Sequence, residues 1–253
     1  MKLTGERVTT SEGGFNPTFQ RHVAAYRLCA PLLGNGTVLD LGCGIGHSLE
    51  WFGTRPSLGL DLDVGALVKQ RRPVIRADMR SIPLRDGAVS SVLSIQSLEH
   101  VPDPERVMAE AARILTNDGR AVWVTPNRLT FARADEVIDP WHYREFDHNE
   151  LAELCGHAFS EVELLGLFGS EHYLRFQKRE IERLNRLLRV DPLRLRRYVP
   201  RSGRQWAYST ALKRTRRSAD PLAVEITEED FYLSDENVNE SLDLIALCRH
   251  PLR

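Results

Sequence analysis

Three separated positions in the first third of the chain carry residue types suited to holding a nucleoside. The run Val38-Leu39-Asp40-Leu41-Gly42-Cys43-Gly44-Ile45-Gly46-His47 is a short apolar stretch that ends in alternating glycines. Glycine permits positive φ and lets a backbone approach a ligand closely. In the dinucleotide fingerprint G-x-G-x-x-G the third glycine would fall at His47, so this loop reads G-x-G-x-G instead. Asp61 closes a second apolar run from Ser57, where its carboxylate can accept hydrogen bonds from both hydroxyls of a ribose. Asp78 closes a third run from Val74, where it can accept from an adenine amino group with Met79 packed beside the ring. Each acid alone could be a helix cap or a surface charge. Together, at three successive strand ends, they point to a bound nucleoside. Farther along, Glu99 and His100 are adjacent and His142 stands in Asp139-Pro140-Trp141-His142-Tyr143. These groups suit a general base, or a magnesium or similar divalent ion. The plainer alternative makes Glu99 and His100 caps of a helix near Pro104 and His142 a loop histidine.

The elements that must position these residues follow from hydrophobic period and from turn signals. Pro17 to Leu33 has helical spacing and stops at Gly34-Asn35-Gly36. Short apolar runs at 37–41, 57–61, 74–78, 89–95 and 120–125 read as strands, with helical stretches after the glycine loop, over 64–71 and over 104–115. Asn117-Asp118-Gly119 reads as a turn. Beyond Pro126, a helix is expected over 149–157, a sixth strand over 162–168 and a seventh over 242–248. Alternating strands and helices imply an α/β fold, a mostly parallel sheet covered on both faces. The division expected within this single domain is an N-terminal helical cap (1–36), a cofactor-binding core (37–127) and an arginine-rich helical insertion (171–240) over the acceptor site, between strands six and seven.

The stretches VLDLGCGIGHSLE, LGLDLD, IRADMRSIPLRDGAVSSVLSIQSLEHVPDP and ARILTNDGRAVWVTPN resemble the class I S-adenosylmethionine-dependent methyltransferases from about Gly36 to Asn127. That resemblance implies a Rossmann-like seven-stranded sheet and S-adenosyl-L-methionine as cofactor. It also implies roles. Gly42, Gly44 and Gly46 line the methionine and ribose side, Asp40 supports the loop, Asp61 followed by Leu62 holds the ribose, and Asp78 and Met79 frame adenine. Gln96 lies near the sulfonium, and the N-terminal helix closes over the cofactor with His22 and Phe19 as contacts.

Methyl transfer from a sulfonium is an in-line displacement, so catalysis consists of positioning and of removing the nucleophile's proton. A hydroxyl acceptor needs that removal most, and His142 is the first choice of base, with His100 and Glu99 beside it. The Glu-His pair, the Thr125-Pro126-Asn127 run and the later histidine are similar to ubiquinone-pathway O-methyltransferases and small-RNA 2′-O-methyltransferases, in which two glutamates and histidine carry a divalent ion. Here Gln96 replaces the first glutamate, which weakens cation ligation by Glu99, His100 and His142. Residues 139–170 resemble bacterial methyltransferases of polysaccharide and glycolipid assembly. With the arginine bias, which suggests a GC-rich genome, this points to an actinobacterial sugar O-methyltransferase, with Trp141, Tyr143, Tyr173, Phe176, Trp206 and Tyr208 as stacking candidates. The alternatives are an RNA 2′-O-methyltransferase, a methyltransferase of quinones or other small phenols, and a cofactor-binding protein without turnover.

Composition narrows the partners. The 253 residues include 34 basic and 35 acidic ones, a net charge of −1, and only four of the basic residues are lysine. The molecule as a whole has no electrostatic claim on nucleic acid or membrane. Between Glu171 and Arg217, however, 15 basic residues face four acidic ones. The acidic stretch from Asp220 to Glu240 is expected to neutralise much of this, which argues against a broad RNA groove and for a small-molecule or oligosaccharide acceptor. Cys29, Cys43, Cys155 and Cys248 lie too far apart for a zinc motif and read as free thiols. No signal-like or membrane-spanning run is evident, so the cytoplasm is the expected location.

Overall fold

A computed structural model describes residues 15–131, 139–188, 199–215 and 221–252. The insertion's Arg189, Arg194, Arg196, Arg197, Arg216 and Arg217 lie outside them. Eight strands form one sheet: β1 (Val38–Leu41), β2 (Ser57–Asp61), β3 (Val74–Arg76), β4 (Val89–Ile95), β5 (Leu115–Pro126), β6 (Phe159–Gly169), β7 (Phe231–Ser234) and β8 (Asp243–Pro251). Their order is β3-β2-β1-β4-β5-β8-β6-β7. Neighbours from β3 through β5 are parallel, whereas β8 runs antiparallel to both β5 and β6. The strand order reverses between β1 and β4, where open α/β sheets bind ligands.

The sheet departs from the seven-stranded expectation by one strand. β7 pairs antiparallel with residues 166–169 of β6 and lies inside the supposed all-helical insertion. Its four residues sit between acidic neighbours, too short a run to show a period of two, yet Phe231 is buried against Tyr173 with ring centroids 4.7 Å apart. β5 is also longer than expected. The Asn117-Asp118-Gly119 turn survives as an irregularity within it, because Val89 pairs with Leu115 and Ser91 with Arg120.

The helices are α1 (Asn16–Cys29), α2 (Val64–Leu67), α3 (Pro104–Ile114), α4 (Arg128–Phe131), α5 (His148–Gly156), α6 (Glu171–Leu188), α7 (Arg201–Thr215) and α8 (Pro221–Glu225). The Asp103 side chain caps α3 by accepting from the Arg106 amide, with Pro104 in the first turn. Glu99 and His100 therefore are not that helix's caps. Asp147 and Glu150 form a capping box on α5. The stretch after the glycine loop is a six-residue 3-10 segment, His47–Phe52, held between Gly46 and Gly53, both at positive φ. α2 ends four residues before the expected helix does.

Both faces of the central strands are apolar. Leu39, Leu41, Val92, Trp123 and Ala246 pack on one side with α3 and α5. Val38, Leu93, Val122, Val124 and Ile245 alternate with them and pack on the other side with α1. Among the described residues no helix is long and apolar enough to cross a membrane, and all four cysteines are free and buried.

The packing of α1 has an ionic centre. Arg21 donates to both carboxylate oxygens of the fully buried Asp243 on β8, and to the Leu242 carbonyl at 3.2 Å. Burial opposes the Arg21 charge, but Asp243 more than offsets it and raises the arginine pKa above its usual range. Asn16 adds bonds to the carbonyls of Ala223 and Ile226, at 2.8 and 2.7 Å. Removing one partner of a buried pair strands the other, so Arg21→Ala should lower the unfolding free energy by about 3–5 kcal/mol. Urea titration followed by circular dichroism measures this, and a loss below about 1 kcal/mol would contradict a structural role for the pair.

Candidate functional site

A cleft of about 250 Å³ opens at the carboxyl ends of β1, β2 and β4. Of the residues expected to hold a cofactor, Gly42, Gly44, Asp61, Leu62, Asp78, Met79, Gln96 and His22 line it, and so does His100. Asp40, Gly46, Glu99 and His142 do not line it, and of these Asp40 and Glu99 are fully buried.

All three loop glycines have positive φ: 80° at Gly42, 52° at Gly44 and 90° at Gly46. A Cβ on Gly42 would fall 2.2 Å from the Ser97 hydroxyl, and one on Gly46 would fall 2.3 Å from the Gln70 side chain. Gly44 faces open space. Asp40 lies beneath the loop, fully buried, accepting from the Ser48 hydroxyl at 2.5 Å and from Arg72. Gln70 donates to the Gly44 carbonyl at 2.7 Å and accepts from Arg72 at 3.2 Å. Gln70 and Arg72 thus fix the loop from a segment that carries no motif, and no sequence pattern singled them out.

Asp61 accepts from the Gly44 amide at 3.0 Å and from the Asp63 amide at 2.8 Å. It ties the loop to β2. Asp78 is engaged by Arg80 through both carboxylate oxygens, which holds its pKa below the usual carboxylate value. Gln96 has the left-handed φ of 50° that a non-glycine residue seldom adopts, and donates to Asp243 at 2.6 Å. An ionised carboxylate only accepts, so the Gln96 amide nitrogen faces Asp243. His22 on α1 lies with Nδ1 2.7 Å from the Thr18 carbonyl. The carbonyl can only accept, which puts the proton on Nδ1, and burial lowers the His22 pKa. Phe19 turns an edge onto His47 at 5.0 Å.

The expected catalytic residues gather around His100. Glu99 and His100 share a 3-10 turn after β4, and the Glu99 side chain accepts from the Thr125 hydroxyl at 3.0 Å. Its other oxygen, Oε1, is buried without a hydrogen-bond partner, 3.9 Å from His100 Nε2. Burial pushes the Glu99 pKa up to about 7. The His100 Nδ1 lies 3.2 Å from the Trp141 carbonyl, and the Tyr143 amide donates to the Glu99 carbonyl at 2.7 Å. These bonds fasten the 139–143 segment across the turn. The His142 ring packs edge-on against His100 at 5.0 Å, and its Nδ1 lies 2.7 Å from Glu145 Oε1. Burial works against a charged His142, but Glu145 and Glu99 outweigh it and raise its pKa.

Ligand atoms of Glu99, His100 and His142 all lie within 4.8 Å of one another, a spacing one ion could bridge. The orphaned Glu99 oxygen fits such a role. One carboxylate and two imidazoles suit a borderline transition-metal ion better than magnesium, which favours oxygen donors and water.

The aromatic candidates separate by burial. Tyr173 is buried and Phe176 half-buried beside it at 6.2 Å, both part of the packing under α6. Tyr143 is 52% exposed and Trp206 73% exposed. α7, which carries Trp206, reaches the 139–143 segment through Gln205, whose amide donates to the Pro140 carbonyl at 3.3 Å. The acidic stretch after 220 engages α1 and α6: Glu229 pairs with Arg27, and Asp230 and Glu225 with His172.

A family model described as "Methyltransferase domain" matches residues 39–123. A Mycobacterium tuberculosis protein named a probable S-adenosylmethionine-dependent methyltransferase is 32% identical over 99% of this chain and 90% of its own length. The ubiquinone/menaquinone biosynthesis C-methyltransferase of Acidiphilium cryptum is 33% identical over 42% of this chain and 49% of its own length. Among solved structures, a Thermotoga maritima protein described as an S-adenosylmethionine-dependent methyltransferase, possible histamine N-methyltransferase, superposes with a TM-score of 0.63. That match has 16% identity and covers 93% of this chain and 92% of the other.

Two measurements follow from this geometry. Gly42→Ala should abolish calorimetrically detectable binding of S-adenosylhomocysteine, whereas Gly44→Ala, with room for its Cβ, should cost only about 1–2 kcal/mol. Equal losses at both positions would mean that the Ser97 contact is not the limit at Gly42. Glu99, raised above the ordinary 4.5, stabilises the fold fully below that value and loses this contribution as pH rises through about 7. Glu99→Gln should therefore narrow the gap in melting temperature between pH 5 and pH 8; an unchanged gap would refute the raised pKa.

Proposed function

The chain belongs to the S-adenosylmethionine-dependent methyltransferases, and from that premise we propose that it methylates a hydroxyl of a sugar in an oligosaccharide, polysaccharide or glycolipid precursor. The observation that carries this reading is a histidine at the cleft wall backed by a buried carboxylate. In a displacement at the sulfonium methyl, the cofactor leaves as a neutral thioether while the attacking hydroxyl must lose its proton. With its Nδ1 proton directed at the Trp141 carbonyl, His100 carries its lone pair on Nε2, the nitrogen that can take that proton. Glu99, 3.9 Å away, favours the imidazolium that results. We assign the base to His100 over His142, the first choice from sequence, because His100 lines the cleft and His142 does not.

The cofactor's adenosine is assigned to Asp61, Asp78 and Met79, and its methionine end to the loop glycines and Gln96. Enclosed by the loop and α1, it would be fixed before the acceptor arrives, which is most of what a positioning catalyst has to do. The sugar class rests on the polar base and on the exposed rings of Tyr143 and Trp206 on segments joined beside it; apolar ring faces with a polar rim are surfaces on which a pyranose can stack. The quinone or phenol reading draws on the quinone-pathway relative. A phenol is the more acidic nucleophile and would depend less on His100. Were a cation held by Glu99, His100 and His142, it would acidify the hydroxyl by polarising its oxygen.

Incubating the protein with methyl-labelled cofactor and a cleared actinobacterial extract should place the label in carbohydrate; label in lipid-soluble phenols would transfer the reading to quinones. His100→Ala should reduce turnover on the labelled acceptor by about 10²–10⁴-fold while retaining S-adenosylhomocysteine binding. Unchanged turnover would remove His100 as the base. Turnover that persists in excess chelator would remove the cation.

A further inference from the structure

Resting on the reading of the Glu99–His100–His142 cluster as the acceptor-side machinery, we infer that Glu145 is the positioning residue of that cluster, fixing the tautomer and ring orientation of His142. Three observations carry this inference. Glu145 and His142 are among the most enclosed titratable side chains of the molecule, 2% and 6% exposed, and they meet at 2.7 Å through Oε1 and Nδ1. No turn or cap needs that carboxylate: the capping box of the following helix is made by Asp147 and Glu150. Finally, the ring it holds is one side of a cluster whose opposite side is Glu99, a buried carboxylate with an oxygen that has no hydrogen-bond partner.

The chemistry is that of a divided imidazole. Neutral histidine carries one proton, and the nitrogen facing a strong acceptor holds it. An ionised carboxylate at Nδ1 therefore places the proton there and leaves the lone pair on Nε2. The same bond prevents the ring from flipping, because a flip would set a carbon against the carboxylate and abandon a charge-assisted hydrogen bond in a water-poor site. Glu145 does not line the cofactor cleft, and it acts through His142.

The test needs no acceptor. Histidine-specific ¹⁵N labelling and long-range ¹H–¹⁵N spectra, with the His142 signals assigned by comparison with His142→Gln, report the tautomer of the neutral ring at a pH above its titration. The wild-type protein should show Nδ1–H. Glu145→Ala should shift His142 to Nε2–H or to a mixture, and Glu145→Gln, whose amide oxygen can still accept, should restore Nδ1–H. A side chain that merely fills space would leave the tautomer unmoved. Nε2–H in the wild type, Nδ1–H persisting in Glu145→Ala, or no recovery in Glu145→Gln each overturns the inference. The wild-type spectrum decides even if a variant fails to fold. S-adenosylhomocysteine binding, measured on the same samples, tests the cofactor reading separately and should stay within about twofold in both Glu145 variants, since neither touches the cleft.

Discussion

Asp243 has no solvent around it, and a carboxylate in that position persists only when donors surround it. Arg21 supplies them from α1 and Gln96 from the end of β4, so one buried charge fastens the N-terminal helix, the last strand and the turn that enters the cofactor cleft. The order of the sheet makes this possible. β8 inserts antiparallel between β5 and β6, which brings Asp243, at the start of β8, level with Pro126 at the carboxyl end of β5. A parallel last strand would have begun at the opposite edge, leaving Gln96 without its acceptor. The antiparallel strand is thus tied to the cleft through one residue, and His22 and Tyr26 reach the cleft because Arg21 is held.

The parts of this arrangement readable in the sequence are those that repeat a local rule. The glycine loop, the acids at the ends of β2 and after β3, and the apolar alternation of β4 each declare themselves within ten residues. What could not be read is what depends on partners far away in sequence. Arg72 and Gln70 hold the loop from a segment with no pattern of its own. Asp243 reads only as one acid in an apolar run, and Glu145 as one of several charges near His142. β7 was hidden for a related reason, since its identity as a strand comes from pairing with β6 and from Phe231 meeting Tyr173, not from propensity. The aromatic candidates were sorted by burial alone, which no spacing could reveal.

The two halves of the site differ in how they satisfy their polar groups. On the cofactor side Asp61 has donors from backbone amides and Asp78 from Arg80. On the acceptor side the balance is reversed. Glu99 keeps an oxygen with no hydrogen bond, and Glu145 holds Nδ1 of the neighbouring ring. A buried cluster rich in acceptors raises the affinity for whatever brings a positive charge, whether a proton or a cation. Glu145 and Glu99 raise the proton affinity of His142 in this way, whereas that of Glu99 is raised chiefly by its own burial.

Both halves hang on one short segment. From Gln96 to His100 the chain leaves β4, takes a left-handed residue, packs Ser97 into the space that Gly42 leaves open, and closes a 3-10 turn. The left-handed step at Gln96 sends its amide toward Asp243 while the turn that follows drives Glu99 inward and leaves His100 on the cleft wall. A side chain at position 42 or a relaxed backbone at 96 would displace the cofactor loop and the acceptor histidine together. The distance between a methyl donor and the group that deprotonates its acceptor has to be held within a fraction of an ångström for in-line transfer. If His100 serves as the base proposed above, Gln96 and His100 within five consecutive residues, braced from β8 on one side and by the Trp141 and Tyr143 backbone on the other, would hold that distance without relying on the mutual rigidity of separate elements.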